Sequence, residues 1–186
     1  MLLRWRSEQE IAVAKAVGSQ QIDLHVDRPL PVELDVVLVP GPRGADGAEA
    51  TVRSLLGQTC PTWRVTALLP EGTRLPQDPR LVHLPTASDD VGPGLVERAV
   101  AGDGAALVVV LEAGDLLEPD FCHHLVSHAW DDPASELFHW DDDVLDADGA
   151  PGDPLFRPSW SPDTLLGTNY LGRSFAVRRR VLQRIG

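Results

Sequence analysis

Short apolar runs alternate with amphipathic segments along most of the chain. Leu34–Val39 and Ala106–Leu111 are apolar runs rich in valine, and each predicts a buried β-strand. In Ala48–Leu56 and Phe121–Trp130 the apolar residues recur at helical spacing, and Pro119 before the second segment is tolerated at a helix start. Strands and helices that alternate at this spacing predict an α/β fold with a parallel sheet covered by helices.

Weaker patterns complete the predicted order of elements. Further strands are predicted at Arg64–Leu69, Leu81–Leu84, Leu137–Trp140 and Ser174–Val177. Further helices are predicted at Leu95–Ala101 and from Arg179 onward. The segment Phe156–Asp163 contains too many prolines and aromatic residues for a helix or a strand, so it predicts a rigid loop.

The first thirty residues differ from the rest of the chain. Glu8–Val17 predicts a short amphipathic helix, and Arg28–Pro31 (RPLP) predicts a boundary. We expect a helical N-terminal extension over residues 1–30 and one α/β domain over residues 31–186. The longest apolar run, Ala105–Leu111, is far shorter than the roughly 20 residues of a membrane-spanning helix, so no transmembrane segment is expected.

The charge of the chain narrows the range of partners. It has 28 acidic and 16 basic residues, and its formal net charge is −12. A protein that binds the phosphate backbone of nucleic acid needs the opposite balance, so no nucleic-acid partner is expected. Cys60 and Cys122 form neither a disulfide framework nor a zinc-site spacing, which favours two reduced structural thiols in a cytoplasmic protein.

Acidic residues follow the strand predicted at Ala106–Leu111. In a parallel α/β sheet, ligands bind beyond the carboxyl ends of the strands, so chemistry is expected just after the predicted strands. Glu112 and Asp115 lie three residues apart there and could share a Mg²⁺ or Mn²⁺ ion, which would bridge to a diphosphate. The alternative is that Asp115 only caps the turn into the next helix.

A second acidic run, Asp141–Asp143, follows the next predicted strand, and further aspartates occur at 146 and 148. Three consecutive carboxylates repel one another, so a fold that gathers them usually supplies a cation or an arginine. The alternatives are a solvated acidic loop with a turn at Asp148-Gly149 and a calcium-binding surface centred on residues 141–148. His124 and His128 have the spacing of two metal ligands on a helix, but surface or capping histidines are the favoured interpretation.

The loop predicted at Phe156–Asp163 is rich in aromatic residues. These could stack on a sugar at the rim of a pocket, and Arg157 could contact a phosphate. The alternative is that Phe156 and Trp160 pack into the core. No GxSxG or GxxxxGK[ST] motif occurs in the chain, which argues against ordinary hydrolases and P-loop nucleotide-binding proteins.

Several of these segments resemble the inverting GT-A glycosyltransferases of family 2, in the bacterial branch of rhamnosyltransferase-like enzymes of O-antigen and cell-wall polysaccharide synthesis. The resemblance lies in Ser54–Trp63 (SLLGQTCPTW), Asp141–Asp143, Asp148-Gly149, Phe156–Asp163 (FRPSWSPD) and Asn169-Tyr170. Together these segments cover about residues 32–186. The proline–tryptophan segment is quite specific for that branch, whereas many family 2 enzymes share the first one.

The resemblance implies a GT-A fold, a mostly parallel Rossmann-like sheet with helices on both faces. It also implies a UDP- or dTDP-linked sugar donor at the carboxyl edge of the sheet, with Mg²⁺ or Mn²⁺ on its diphosphate. A hexosyltransferase of this kind transfers the sugar to a bacterial glycan or lipid-linked glycan with inversion, in the cytoplasm or at the inner face of the cell membrane. The catalytic base of the family lies beyond the matched segments, so we name no base and expect a C-terminally truncated domain.

The chain departs from the family pattern at three places. The first predicted strand is followed by Pro40–Arg43 (PGPR), where the family has a proline and then an aromatic–asparagine pair. The second strand offers only Glu71 for the base and ribose of the donor. The metal motif of the family, aspartate-x-aspartate-aspartate, is here Glu112–Asp115 (EAGD), with Gly114 at its third position.

The resemblance therefore implies a set of site residues. Glu71 and Glu112 are the expected nucleotide contacts, and Glu112 and Asp115 are the expected metal ligands. The residues expected to line the same pocket, toward the sugar or the acceptor, are Asp141, Asp142, Asp143, Arg157, Trp160 and Asn169. The alternative from another class is a non-catalytic, degenerate GT-A domain that serves as a binding or scaffolding module in a larger polysaccharide-synthesis protein.

Overall fold

The structure is a computed structural model that describes residues 33–89, 91, 93–101, 104–146 and 151–185. The helix predicted at Glu8–Val17 and the turn predicted at Asp148-Gly149 lie outside these residues, and the division near residue 30 stays a prediction. None of the helices in the described ranges has the length and apolar character that a membrane span requires.

The described part of the chain forms a central sheet and a separate hairpin. Its strands are β1 (Leu34–Val39), β2 (Trp63–Ala67), β3 (Leu81–His83), β4 (Leu107–Glu112), β5 (Leu137–Phe138), β6 (Asp142–Leu145), β7 (Pro151–Leu155) and β8 (Phe175–Arg178). The sheet has the order β3-β2-β1-β4-β8-β5, and β6 pairs with β7 in the hairpin. Strands β1 to β4 pair in parallel, whereas β8 is antiparallel to β4 and to β5.

Helices cover both faces of the sheet. They are α1 (Ala48–Leu56), α2 (Pro93–Val100), α3 (Phe121–Asp131), α4 (Pro162–Gly167) and α5 (Arg179–Ile185). Val52 of α1 and Leu125 of α3 belong to the larger core cluster on one face. Val100 of α2 and Leu182 of α5 pack in the cluster on the other face. The predicted α/β architecture, a mostly parallel sheet between two layers of helices, is confirmed.

The structure differs from the sequence prediction between β5 and β8. The β6–β7 hairpin was not predicted, because aspartate is rare in strands and two of the four residues of β6 are Asp142 and Asp143. Helix α4 begins at Pro162, inside the segment predicted as a loop. Proline is tolerated there because it lies in the first turn, where its missing N–H has no helical partner to lose.

A buried arginine fixes the strands at the end of the sheet opposite their carboxyl ends. The guanidinium of Arg179 donates hydrogen bonds to the carbonyl oxygens of Val100 and Ala105 and pairs with the Asp35 carboxylate. Asp35 also accepts the backbone N–H of Ala105 at 2.9 Å. These bonds join the start of α5 to β1 and to the entry of β4, so the two central strands keep their alignment.

The two cysteines lie in the core as free thiols. Cys60 and Cys122 are 5% and 1% exposed, and they are not bonded to each other. Burial raises the pKa of Cys122 to about 12, with a smaller contribution from the nearby Cys60. Because the thiolate is the reactive form, this thiol is chemically inert in the folded protein.

We expect Cys122 to resist thiol reagents at pH 8 until the protein unfolds. A thiol with a pKa near 12 is ionised at that pH in roughly one molecule in ten thousand. The measurement is labelling with iodoacetamide followed by peptide mass spectrometry, with a urea-unfolded sample as the fully reactive control. Rapid labelling of Cys122 under native conditions would contradict the core position.

Candidate functional site

A cleft of about 920 Å³ opens at the carboxyl ends of β1 and β4. Its walls are residues 42–43 after β1, residues 112–115 at the end of β4, residues 144–146 and 155–157 of the hairpin region, and residues 168–170 and 172–174 before β8. Because β8 is antiparallel, its beginning lies at the same edge as the carboxyl ends of the parallel strands. The cleft is therefore where the sheet rule places a ligand site.

Three glycines allow the loop after β1 to contact the end of β4. A Cβ atom on Gly41 would collide with the carbonyl oxygen of Ala113, and one on Gly47 would lie 2.7 Å from the Gly114 Cα. The N–H of Gly114 also donates to the Thr51 Oγ1 of α1 at 2.9 Å. Backbone thus packs directly on backbone here, and the two loops form one rigid floor of the cleft.

Gly114 occupies the position at which the family pattern carries a carboxylate. Its φ is +104°, a conformation that residues with a side chain adopt only under strain. The backbone at this position therefore suits glycine better than a residue that carries a carboxylate.

The two remaining carboxylates of this segment already have partners. Asp115 is 7% exposed, and its Oδ2 accepts the Glu112 N–H at 3.0 Å and the Ser174 hydroxyl. The Oε1 of Glu112 accepts a hydrogen bond from Nη1 of Arg173 at 2.9 Å. The structure thus places Glu112 and Asp115 together in the wall of the cleft, and Asp115 also makes the turn-stabilising bond of the alternative interpretation.

This donor set does not fit a Mg²⁺ or Mn²⁺ ion of the kind that the resemblance implies. Such an ion requires several oxygen ligands in an octahedral arrangement. Here glycine replaces one carboxylate, the Glu112 carboxylate pairs with an arginine, and Asp115 is held by Ser174 and by a backbone N–H. No group of three His, Cys, Asp or Glu residues among the described residues could hold a metal ion.

Arg157 joins three segments of the cleft wall. Its guanidinium donates to the carbonyl oxygens of Trp140 at 2.7 Å and Tyr170 at 2.5 Å, and to the Asp142 Oδ2 at 2.5 Å. Its side chain is only 5% exposed, and Gly172 leaves room for it, since a Cβ there would lie 2.6 Å from the guanidinium. The guanidinium predicted to contact a phosphate is therefore engaged within the protein.

The acidic run is not the solvated loop of the alternative interpretation. Asp142 and Asp143 are 1% and 3% exposed, whereas Asp141 is exposed and accepts the Arg157 N–H at 2.8 Å. Burial raises the pKa of Asp142, the Arg157 guanidinium lowers it, and the nearby Asp115 raises it further. Arg157 is thus the counter-charge expected for gathered carboxylates. Two of the three aspartates are buried, so they do not form an exposed calcium-binding surface.

The other predicted site residues are spread around this region. Asn169 lines the cleft and donates to the Gly172 carbonyl oxygen at 3.2 Å. Phe156 also lines it and is 55% exposed, so it does not pack into the core. Trp160 is 63% exposed and, like the exposed Glu71, lies outside the residues that line the cleft.

Glu71 lies in a turn that begins at Pro70, three residues after the end of β2. Gly72 has a φ of +84°, and the Thr73 N–H donates to the Pro70 carbonyl oxygen at 3.2 Å, which closes a turn. His124, which was considered as a metal ligand, contacts the Asp120 carboxylate at 3.2 Å, and His128 is exposed.

The sequence analysis missed Arg43, Arg173 and Ser174 as cleft residues. Arg43 lies in the PGPR segment that was noted only as a departure from the family. The other two precede β8, whereas the strand-end rule covers only positions that follow a strand. An antiparallel strand begins at the edge where its parallel neighbours end, so the positions before β8 carried the missing signal.

Removal of the arginine counter-charge should destabilise the protein in a pH-dependent way. We expect Arg157→Gln to cost about 3–5 kcal/mol near pH 7, because it leaves the Asp142 carboxylate buried without its partner. The folded-state pKa of Asp142 is already raised, so its contribution to the free energy of unfolding falls as pH rises through that value. In the variant this pKa rises further, so the loss should be smaller at pH 4.5 than at pH 7.

Urea unfolding at both pH values measures this effect. The double variant Asp142→Asn/Arg157→Gln should recover part of the loss at pH 7. Arg53→Gln is the matched control, because it breaks the exposed pair with Glu49 and should cost about 0.5 kcal/mol or less. An equal loss at both pH values would show that Asp142 is not the group responsible.

Restoring the family carboxylate should strain the floor of the cleft. We expect Gly114→Asp to lower the free energy of unfolding by about 1–3 kcal/mol, because φ is +104° at this position. The matched control is Gly94→Asp, since Gly94 lies in α2 with open space around its Cα and no positive φ. Urea midpoints of the two variants give the comparison, and equal stability of both would contradict a backbone adapted to glycine.

The chain resembles known proteins in part of its sequence and in its fold. No family model matches the chain. Over 76 residues it is 36% identical to the O-antigen biosynthesis protein RfbC of Myxococcus xanthus, which is 41% of this chain and 6% of that protein. The match thus covers a small part of a much longer relative.

Two solved structures share the fold. The crystal structure of S. aureus TarS 1-349 has a TM-score of 0.57 at 14% identity over 82% of this chain and 48% of that one. The mannosyltransferase PcManGT from Pyrobaculum calidifontis, in complex with GDP-Man and Mn²⁺, has a TM-score of 0.51 at 15% identity over 94% and 55%. The chain therefore spans about half the length of each. The chain therefore shares the GT-A fold of these structures, and over 76 residues it is similar to a bacterial O-antigen biosynthesis protein.

Proposed function

We propose that this domain binds a nucleotide-diphosphate sugar in the cleft after β1 and β4. It would supply the donor half of an enzyme that transfers the sugar to a bacterial glycan or lipid-linked glycan, with inversion. The observation that carries the proposal is the cleft itself, which combines arginines, amide groups and exposed apolar side chains at the ligand-binding edge of a GT-A sheet.

The walls of the cleft offer different chemistry to the parts of such a donor. Arg43, on the loop after β1, and Arg173, just before β8, suit the diphosphate, because guanidinium groups bind phosphate oxygens bidentately. Phe156 presents an aromatic ring for the sugar, and Asn169 provides an amide for hydroxyl groups. A UDP- or dTDP-linked hexose is the donor class that we propose from the family resemblance.

The transfer would proceed as a single displacement. An acceptor hydroxyl attacks the anomeric carbon from the side opposite the diphosphate, whose bond to that carbon breaks with the electron pair remaining on the leaving phosphate. The hydroxyl proton passes to a general base. We assign that base to none of the residues here, since Asp115 and Asp142 are both held by other groups of the protein.

The carboxylates of the cleft have a structural part in this proposal. Asp115 holds Ser174, and Asp142 holds Arg157, so the walls stay in place when a ligand enters. Because these groups and Gly114 do not make a suitable ligand set for Mg²⁺ or Mn²⁺, no step is assigned to a cation. Mn²⁺ accompanies GDP-Man in the mannosyltransferase complex, whose sequence is only 15% identical.

A purely scaffolding role is not favoured. The similarities are to a mannosyltransferase, to TarS and to an O-antigen biosynthesis protein. A cytoplasmic position, or one at the inner face of the cell membrane, follows from this role because activated sugar nucleotides are made in the cytoplasm of bacteria.

Binding of sugar nucleotides tests the proposal directly. In isothermal titration calorimetry we expect a UDP- or dTDP-hexose to bind the chain. Phe156→Ala should weaken the sugar nucleotide about fivefold through lost stacking, and leave the affinity for the free nucleoside diphosphate unchanged. Trp130→Ala is the matched control, because Trp130 is 50% exposed on α3 and lies outside the cleft lining. The absence of binding by every sugar nucleotide at millimolar concentration would refute the donor site.

A further inference from the structure

We infer that Arg43 and Arg173 neutralise the donor diphosphate in this cleft, in the place that a divalent cation takes in the family pattern. This inference rests on the proposed function, since it concerns how the same site holds the same donor. It follows from the placement of charges around the cleft and from the engagement of the residues that would otherwise hold a metal ion.

The charge of the cleft differs from that of the chain as a whole. Its lining carries the three arginines Arg43, Arg157 and Arg173 and the three carboxylates Glu112, Asp115 and Asp146. Their formal charges sum to zero, or to −1 with the Asp142 carboxylate that pairs with Arg157, whereas the whole chain has a net charge of −12. The cleft is therefore much less negative than the rest of the chain, and two of its three arginines have exposed side chains that a diphosphate can reach.

Arg43 stands on a rigid turn at the edge of the cleft. The N–H of Gly41 donates to the Gly44 carbonyl oxygen at 2.8 Å, and the Gly44 N–H donates back to Gly41 at 2.9 Å. This closes a tight turn with Pro42 and Arg43 at its tip, and the packing of Gly41 against Ala113 fixes the turn to the end of β4. Arg43 is exposed, and no carboxylate among the described residues pairs with it.

Arg173 approaches from the opposite wall. Its side chain is 72% exposed, and its Nη1 bonds the Oε1 of Glu112 at 2.9 Å. The Glu112 side chain is only 13% exposed, but the Arg173 guanidinium lies at the surface, where the diphosphate of the donor, with two negative charges, can take the place of the single Glu112 carboxylate. Glu112 then acts as a placeholder that holds Arg173 over the cleft before the donor binds.

The competing arrangement, a cation held by Glu112 and Asp115, makes the opposite prediction for one substitution. If Glu112 restrains Arg173, then Glu112→Gln releases the guanidinium and strengthens diphosphate binding. If Glu112 is a metal ligand, the same substitution weakens binding in the presence of Mn²⁺. The sign of the change therefore distinguishes the two arrangements.

The experiment is calorimetric titration of the chain with UDP and with dTDP, in EDTA and again with Mn²⁺. We expect binding in EDTA that Mn²⁺ changes less than twofold. Arg43→Ala and Arg173→Ala should each weaken it about tenfold, as expected for a lost hydrogen bond to a charged group. Glu112→Gln should strengthen it about threefold. Arg53→Ala is the matched control and should have no effect, since Arg53 is 67% exposed, pairs with Glu49 and lies outside the cleft.

Thermal unfolding of each variant checks that it is folded. We expect all of them to fold, because the side chains of Arg43, Arg173, Glu112 and Arg53 are partly or fully exposed. Binding that requires Mn²⁺, or that Glu112→Gln weakens, would overturn the arginine assignment and leave the proposed function intact. Failure of UDP, dTDP and every sugar nucleotide to bind in either condition would overturn both. Unchanged affinity in Arg43→Ala and Arg173→Ala would overturn the assignment alone.

Discussion

The direct contact of two backbone segments at the carboxyl edge of the sheet is the constraint on which the site depends. The loop after β1 can pack against the end of β4 only because Gly41 and Gly47 lack side chains where they meet Ala113 and Gly114. This contact fixes the floor of the cleft without any flexible side chain between the loops. Within this contact Gly114 has a positive φ, a conformation that a carboxylate-bearing residue would adopt only at a cost.

Buried charge pairs have a structural role in the walls of the cleft. Arg157 holds the ends of β5 and the hairpin to the segment before β8, and Asp142 is its ionic partner in a site with almost no exposure. Such a pair contributes little net stability compared with apolar packing. Removal of either partner nevertheless lowers the free energy of unfolding strongly, because the other charge stays buried without a counter-charge. The walls are therefore specified by charge pairing, while the exposed arginines at the rim remain available to a ligand.

The sequence predicted the scaffold more successfully than the site, for physical reasons. Leu34–Val39 and Ala48–Leu56 have the bounds predicted for them, because a short run rich in valine favours a strand and an amphipathic repeat favours a helix. The strand-end rule also placed Glu112 and Asp115 at the cleft. It did not apply to Glu71, which lies in the turn from Pro70 to Thr73 and is exposed to solvent. Partners such as Arg173 and Ser174 follow from tertiary pairing across about 60 residues, which local patterns do not encode.

Because the scaffold and the site depend on different residues, a shared fold says little about the charge at the site. At 14–15% identity the neighbouring structures share the fold, since buried apolar residues can be exchanged for one another with little effect on it. The loops at the carboxyl edge are not under that constraint, and in this chain Gly114 stands where the family pattern has a carboxylate. A site that must hold a diphosphate still needs positive charge within reach of the phosphate oxygens. When the backbone no longer accepts the carboxylate that would bind a cation, exposed arginines on the adjoining loops can meet this requirement in its place.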